Sequence, residues 1–290
     1  MKKKTARNNN KMLGGNIKQT QSKIHKRKHI SILSYNISWE SMTGSDKHWD
    51  LCNNNTDIND PKHNSICVSN IGNVINENPA NFITLQEASD YKQLIKQCPK
   101  LSKMLFQTHA SGLDCLATFW NSKYKCIKII KGEFEKGRPW MAILFSNNIC
   151  LINVHLGHYN GNTVYNKLQT LIMTVKQAIN NMFNNTNTFN NTINNTINNT
   201  FNNNTQTRYI ISGDFNYDIK KFSSNTLPNT INLDNIDFYY HQKHILTCCI
   251  NRTTHYDHVI DTYNKPLNIH IPHVKYLASD HKPILVELLK

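Results

Sequence analysis

No apolar stretch in this 290-residue chain approaches the ~18 to 20 residues that crossing a bilayer requires, so no transmembrane segment is expected. Nor does an apolar segment follow the first lysines, which leaves no secretory signal evident and points to an intracellular protein, cytoplasmic or nuclear. The eight cysteines include no C-x-x-C pair. Several lie within apolar runs, where a thiol behaves as a small hydrophobe, and the expectation is a reducing compartment without structural disulfides. Zinc around His241, His244, Cys248 and Cys249 is conceivable, but their spacing fits none of the usual zinc patterns.

Acidic residues are absent from residues 1–29, which hold ten Lys or Arg. Without that segment the formal charge falls from +14 to 14 − 10 = +4, an excess that many soluble domains carry. The strongly basic element is thus a tail, with Gly14-Gly15 and scattered Asn and Gln, and it reads as disordered. It suits a polyphosphate partner, an import signal around Lys26-Arg27-Lys28, or no specific partner at all. It lacks the clear amphipathic pattern of a mitochondrial leader.

Residues 30–290 read as one domain, because strands run almost to the C-terminus with no linker dividing them into two complete sets. His29 to Ile37 is an expected strand with Ile30, Ile32, Ser34 and Asn36 on one parity. Cys67, Ile71, Val74 and Ile75 recur at helical spacing up to Asn78-Pro79. A short strand, Phe82 to Leu85, then delivers Gln86-Glu87, and a short helix runs from Asp90 to Cys98. Strands are expected over Leu113–Trp120, Lys125–Ile130, Trp140–Phe145 and Ile149–Leu156, with a hairpin turn at Ser146-Asn147-Asn148. Thr163 to Met182 places Val164, Leu168, Leu171, Ile172, Val175 and Ile179 on one helical face. An Asn-rich, low-complexity insertion at about 180–205 follows, tolerated because loop-closure entropy grows slowly with length. Its N-x-T sequons are a by-product of composition. Beyond it come expected strands at Tyr209–Ser212, Ile245–Ile250, His258–Tyr263 and Ile284–Leu288. This order suggests an α/β architecture of two sheets packed face to face and flanked by helices.

Five segments place polar side chains at or just after the end of an apolar strand: Ser34-Tyr35-Asn36, Leu85-Gln86-Glu87, Asn153-Val154-His155-Leu156, Gly213-Asp214-Phe215-Asn216 and Ser279-Asp280-His281. A sixth, His255-Tyr256-Asp257-His258, precedes an apolar run. Asp214 and Asn216 share a parity, so a carboxylate and an amide converge at a strand's carboxyl edge. Such a pairing suits a site that holds a metal-bound phosphate and an attacking water. Each segment alone has a plain structural explanation as a turn, a cap or one of many Asn and His residues.

In order and together, these segments resemble the signature of the endonuclease/exonuclease/phosphatase superfamily, the DNase I-like phosphoesterases, from about residue 30 to the end. The resemblance implies a four-layered α/β sandwich of two mixed sheets with a magnesium-dependent phosphoesterase site at one end. It assigns Glu87, Asn36 and Asp280 to a divalent ion, Mg²⁺ or Mn²⁺ rather than zinc. It gives Asp214 the attacking water, Asn216 and His155 the phosphate, and His281 a donor or general acid/base role with Asp257 fixing its tautomer. Arg138 falls where several members contact phosphate. His258 departs from relatives that carry arginine there.

The motifs serve the phosphate and not the rest of the substrate. Local texture leans toward nucleic acid: Leu113 to Trp120 with Lys123 and Lys125, and Tyr165 to Thr170, look similar to deadenylase and nuclease branches. Arg138, Trp140, Trp39 and Tyr159 suit stacking and backbone contact. A monomeric nuclease is the expectation, DNA or RNA its substrate. The alternatives are an inositol-phosphate or phospholipid-headgroup phosphoesterase and a non-catalytic binding module.

Overall fold

Strand β1, His29–Asn36, alternates between two environments, and its inner row runs from apolar to polar along its length. Ile30 and Ile32 lie in the layer between the sheets, whereas Leu33 and Tyr35 face a helical layer. Ser34 and Asn36 continue the inner row and are fully buried. The computed structural model describes residues 29–38, 63–186, 206–222, 229–240, 245–249, 254–263, 268–272 and 279–289. The basic tail up to residue 28, Trp39, His241, His244 and residues 187–205 of the Asn-rich segment lie outside them.

The described residues form three α-helices, α1 (His63–Glu77), α2 (Tyr91–Gln97) and α3 (Gly161–Thr186). The remaining strands are β2 (Phe82–Gln86), β3 (Leu105–Ser111), β4 (Asp114–Trp120), β5 (Cys126–Glu135), β6 (Arg138–Phe145), β7 (Ile149–His155), β8 (Arg208–Asp214), β9 (Thr230–Leu233), β10 (Ile236–Tyr239), β11 (Asp257–Asp261), β12 (Asn268–His270) and β13 (Ile284–Leu289). One sheet has the order β12-β13-β1-β2-β4-β3 and the other β5-β6-β7-β8-β11-β10-β9. Both are mixed: β1 runs parallel to β2 and β7 parallel to β8, within otherwise antiparallel sheets. Helices α1 and α2 cover the outer face of the first sheet and α3 that of the second. The result is the expected four-layered α/β sandwich.

Three rows in the middle layer repeat the gradient of β1. They are Phe82-Thr84-Gln86, Ile149-Leu151-Asn153-His155 and Ile210-Ser212-Asp214, all read at period two. At one end the layer is a core of Ile, Leu, Val and Phe. At the other it is polar, and there the sheets are joined by hydrogen bonds. Thr84 and Ser212 hydroxyls lie 2.8 Å apart, and Gln86 Nε2 donates to Asn153 Oδ1 at 2.8 Å. The Asn153 amide donates in turn to the carbonyls of Leu85 and Ala117 and to the Thr118 hydroxyl. Burying these polar groups is tolerated because the amides and hydroxyls named pair with one another, while Ser34 Oγ and Gln86 Oε1 stay without a hydrogen-bond partner.

Several expectations need adjustment. Helix α3 extends to Thr186, so the first part of the expected insertion belongs to it. Of the expected strand Ile245–Ile250, residues 245–249 are described, and they make one isolated bridge, Cys248 to Thr254, and no ladder. Strands β3, β9, β10 and β12 were not anticipated. β3 is an edge strand with Leu105 and Phe106 exposed, and β9 and β10 form a hairpin of four residues each, too short to show periodicity. Cys98, Cys115, Cys126 and Cys150 are free thiols. Cys248 and Cys249, however, are joined by a disulfide, and Cys67 is also disulfide-bonded. Neighbouring cysteines carry no spacing signal for a bridge, and these bonds remove the cysteine argument for a reducing compartment.

Candidate active site

Strand register delivers the first three side chains. His155 pairs with Asp214 across β7 and β8, and Asp214 pairs with Asp257 across β8 and β11. One sheet therefore presents an imidazole and two carboxylates in a row at one level. Gly213 makes this possible: its φ is +150°, and a Cβ there would lie 2.0 Å from the Val154 carbonyl oxygen. No other residue fits so close an approach to the neighbouring strand. Asn216 joins the row by a turn and not by the pleat, with φ of +47° and its backbone N–H donating to Asp214 Oδ1 at 2.8 Å.

The other sheet closes the site. Asn36, at the end of β1, donates through Nδ2 to Glu87 Oε1 at 2.9 Å and Asp214 Oδ2 at 3.0 Å, and its Oδ1 accepts the Ser38 N–H. Glu87 follows β2 in a left-handed conformation, φ +55°, which turns its carboxylate back toward the site. A carboxylate side chain rarely adopts that backbone, so the surroundings must hold it there. Ser279 ties the Ser-Asp-His turn to β1: its Oγ donates to the Asn36 carbonyl and accepts the His281 N–H. His281 Nε2 consequently lies 3.7 Å from Asp214 Oδ2, while Nδ1 lies 2.9 Å from Asp257 Oδ2. Asp257 is itself positioned by Thr247, whose Oγ1 accepts the N–H groups of Tyr256 and Asp257.

Electrostatics follow from burial. Desolvation pulls the His281 imidazole down, but the carboxylates of Asp257 and Asp214 outweigh it and hold the ring well above its ordinary value. Burial pushes Asp257 up to about 6 against the pull of His281. His155 is likewise lowered by burial and raised further by Asp114, then Asp214 and Glu87, ending above its ordinary value. Arg138 Nη1 stands 2.9 Å from His155 Nε2, so guanidinium and proton compete for that nitrogen. The structure thus brings together Asn36, Glu87, Arg138, His155, Asp214, Asn216, Asp257 and His281. Asp280 lies on the wall of the adjoining cleft, a cavity of about 520 Å³ that Glu87, Arg138, His155, Lys136 and Leu113 also line.

Asp114 escaped the sequence reading. Its Oδ2 sits 2.6 Å from His155 Nδ1, making a second His–Asp pair opposite His281–Asp257. The available signal was an acid opening a strand that is otherwise wholly apolar or small. Trp140, conversely, is buried in the core under α3 and offers no face to a ligand. Tyr159 packs against the same core with the Lys167 amine 4.7 Å from its ring.

No protein-family model matches the chain. An uncharacterized protein of Acanthamoeba polyphaga mimivirus is 28% identical over 272 residues, covering 89% of this chain and 50% of that protein, so the chain spans half the length of its relative. Among solved structures, truncated Caenorhabditis elegans TDP2 superposes with a TM-score of 0.57 at 13% identity, over 90% of this chain and 98% of that one. ANGEL2, a 2′,3′-cyclic phosphatase in complex with adenosine-2′,3′-vanadate, gives 0.61 at 15% identity, over 90% and 95%. An endonuclease/exonuclease/phosphatase family protein from Bacteroides thetaiotaomicron gives 0.54 at 12%, over 90% and 95%. With these likenesses and its two stacked mixed sheets, the chain has the fold of the endonuclease/exonuclease/phosphatase superfamily.

Proposed function

We propose that the chain is a divalent-metal-dependent phosphodiesterase that hydrolyses nucleic acid, DNA or RNA. The observation that carries this reading is the row of His155, Asp214 and Asp257, met from the opposite sheet by Asn36, Glu87 and His281. Such a volume holds a tetrahedral anion between imidazoles while a carboxylate faces the attacking oxygen.

The donor set fits a divalent cation. Even with both imidazoles protonated, Glu87, Asp114, Asp214, Asp257 and Asp280 exceed His155, His281, Arg138 and Lys136 by 5 − 4 = 1 charge. Glu87 and Asp280 offer hard carboxylate oxygens, which suit Mg²⁺ or Mn²⁺, and Asn36, whose Nδ2 donates to Glu87 and whose Oδ1 accepts the Ser38 N–H, would join them only with its amide turned over. Bound there, the cation would act as a Lewis acid toward the phosphoryl oxygens.

The chain's own groups do the rest. Asp214 orients or deprotonates the water. Asn216, His155 and Arg138 hold phosphate oxygens as charge builds on them. His281, kept cationic by Asp257, donates to the phosphate or the departing oxygen. Lys136 and Arg138 along the cleft, with Leu113 exposed at its rim, favour an anionic polymer with flat apolar bases. The 2′,3′-cyclic phosphatase activity of ANGEL2 adds cyclic-phosphate RNA ends to the candidate substrates.

The test is a Mg²⁺- and Mn²⁺-dependent screen over single- and double-stranded DNA, RNA, poly(A), RNA with cyclic-phosphate ends, inositol phosphates and phospholipids. Nucleic acid should be cleaved, and Asp214→Ala or His281→Ala should abolish cleavage with the circular dichroism spectrum unchanged. Hydrolysis confined to inositol phosphates or phospholipid headgroups would reject the nucleic-acid assignment. Inactivity on every substrate, with no metal bound, would reject the enzyme.

A further inference from the structure

A separate cluster sits on the other face of β11. Along this strand Asp257 and Val259 point between the sheets, so His258 and Ile260 point outward, and Ile260 indeed lies in the core under α3. His258 is buried, with its ring edge-on to Phe215 at 5.2 Å. The His255 ring centroid lies 4.3 Å from that of His258, and His255 Nδ1 is 3.6 Å from Asp218 Oδ1. Asp218, His255 and His258 each offer one ligand atom, and the three atoms all lie within 4.8 Å of one another. None belongs to the hydrogen-bonded phosphoesterase cluster.

We propose that Asp218, His255 and His258 form a second metal site, a two-histidine, one-carboxylate centre of the zinc class, which fastens the turn after β8 to the start of β11.

Three features support it. Two imidazoles and a carboxylate are a usual protein donor set for Zn²⁺, with a water completing the tetrahedron, and this set lacks the all-oxygen character that selects Mg²⁺. His258 Nε2 is 3.0 Å from the Tyr217 carbonyl. Donation of one ring N–H to a backbone carbonyl is the arrangement that orients a metal-binding imidazole. Asp218 accepts the Lys220 N–H through Oδ1 and caps the short helical turn at Ile219–Lys221, so its carboxylate is fixed in place and retains lone pairs for a cation.

Position gives the site its purpose. Asp218 is two residues beyond Asn216, and His255 and His258 bracket Tyr256-Asp257. The Phe215 N–H already donates to the Tyr256 carbonyl at 2.9 Å. A metal held by these three residues would lock the segment carrying Asp214 and Asn216 against the segment carrying Asp257, from behind the site and without touching substrate.

The experiment strips the full chain with a chelator, adds Zn²⁺ and counts bound zinc by elemental analysis after dialysis, with thermal melting read in parallel. The expected result is zinc uptake with a raised melting temperature. The double variant Asp218→Asn/His255→Gln, which spares the more deeply packed His258, should bind one equivalent less, with affinity for the lost ion reduced at least on the order of 100-fold. His281→Ala should keep that equivalent, which separates this site from the phosphoesterase centre. Equal uptake and equal melting shift in the double variant and the parent would overturn the proposal, as would a parent that takes up no zinc. Should the double variant fail to fold, Co²⁺ added to the unaltered chain decides. A tetrahedral ligand-field spectrum without thiolate charge-transfer bands is expected, and an octahedral or thiolate spectrum overturns the assignment.

Discussion

His281 Nδ1 and Asp257 Oδ2 meet at 2.9 Å with both side chains buried, so neither partner has water to fall back on. Removing the charge of Asp257 should lower the pKa of His281, because desolvation then acts with less opposition. In Asp257→Asn, a histidine titration followed by nuclear magnetic resonance should show the His281 transition moved downward. Phosphodiesterase activity should fall by about 10²- to 10⁴-fold, the usual worth of a positioned acid or base. An unmoved titration would mean that Asp257 does not support the imidazolium.

The same shifts set a pH dependence of stability. His281 and His155 have folded values raised above the ordinary 6.5, so the native state retains protons that the unfolded chain has released. Their stabilisation is complete below pH 6.5 and is lost as pH rises through their folded values. His258, held well below its ordinary value by burial and by His255, acts in the opposite sense and only below pH 6.5. Melting temperature in chelator should therefore decline as pH is raised from 6.5, and the decline should flatten in His281→Gln. A flat profile in the parent chain would contradict the imidazolium assignment.

Asp114 should act through His155 and not on substrate directly. Its carboxylate fixes the imidazole at Nδ1, leaving Nε2 to face Arg138 and the cleft. Asp114→Asn should weaken kcat/KM and shift the alkaline limb of its pH profile downward, because the His155 imidazolium loses its support, whereas Asp114→Glu should restore part of both. Loss of activity without any change in the profile would reduce Asp114 to a packing role.

At the far end of the sheets, Arg208 and Asp261 form a buried, multiply hydrogen-bonded pair, and Arg208 also donates to the Leu289 carbonyl at 2.8 Å. Asp261→Ala leaves a guanidinium buried without its counter-charge, a loss of about 3 to 5 kcal/mol. Urea denaturation should show it as a lower midpoint with an unchanged slope.

The fold was legible because its strands carry runs of β-branched residues and its long helix a clean apolar face, as at Val164, Leu168 and Val175. The site was legible where a motif closes on itself: Gly213 to Asn216 lies within one turn, and Ser279 to His281 within another. Asp114 was not, since its relation to His155 is created by two strands of different sheets and leaves no trace in spacing. Thr247 was missed for a similar reason. Its hydroxyl serves backbone groups nine and ten residues away, and the segment around it looked apolar enough to be a strand. Trp140 shares a strand parity with Arg138, but it continues into the row of Ala142 and Leu144 that packs in the core under α3.

The hydrogen bonds that cross between the sheets, Thr84 to Ser212 and Gln86 to Asn153, also bear on the mechanics of the molecule. An apolar interface lets two layers slide or rotate at small cost, since dispersion contacts have no direction. A directional bond of net worth about 1 kcal/mol resists shear, because a displaced donor leaves a buried acceptor without a partner. Asn36 and Glu87 ride on one layer, His155 and Asp214 on the other, and their separations must hold to a fraction of an ångström for phosphoryl chemistry. The polar seam just beneath them makes the two layers one rigid body where it matters, and leaves compliance to the greasy end.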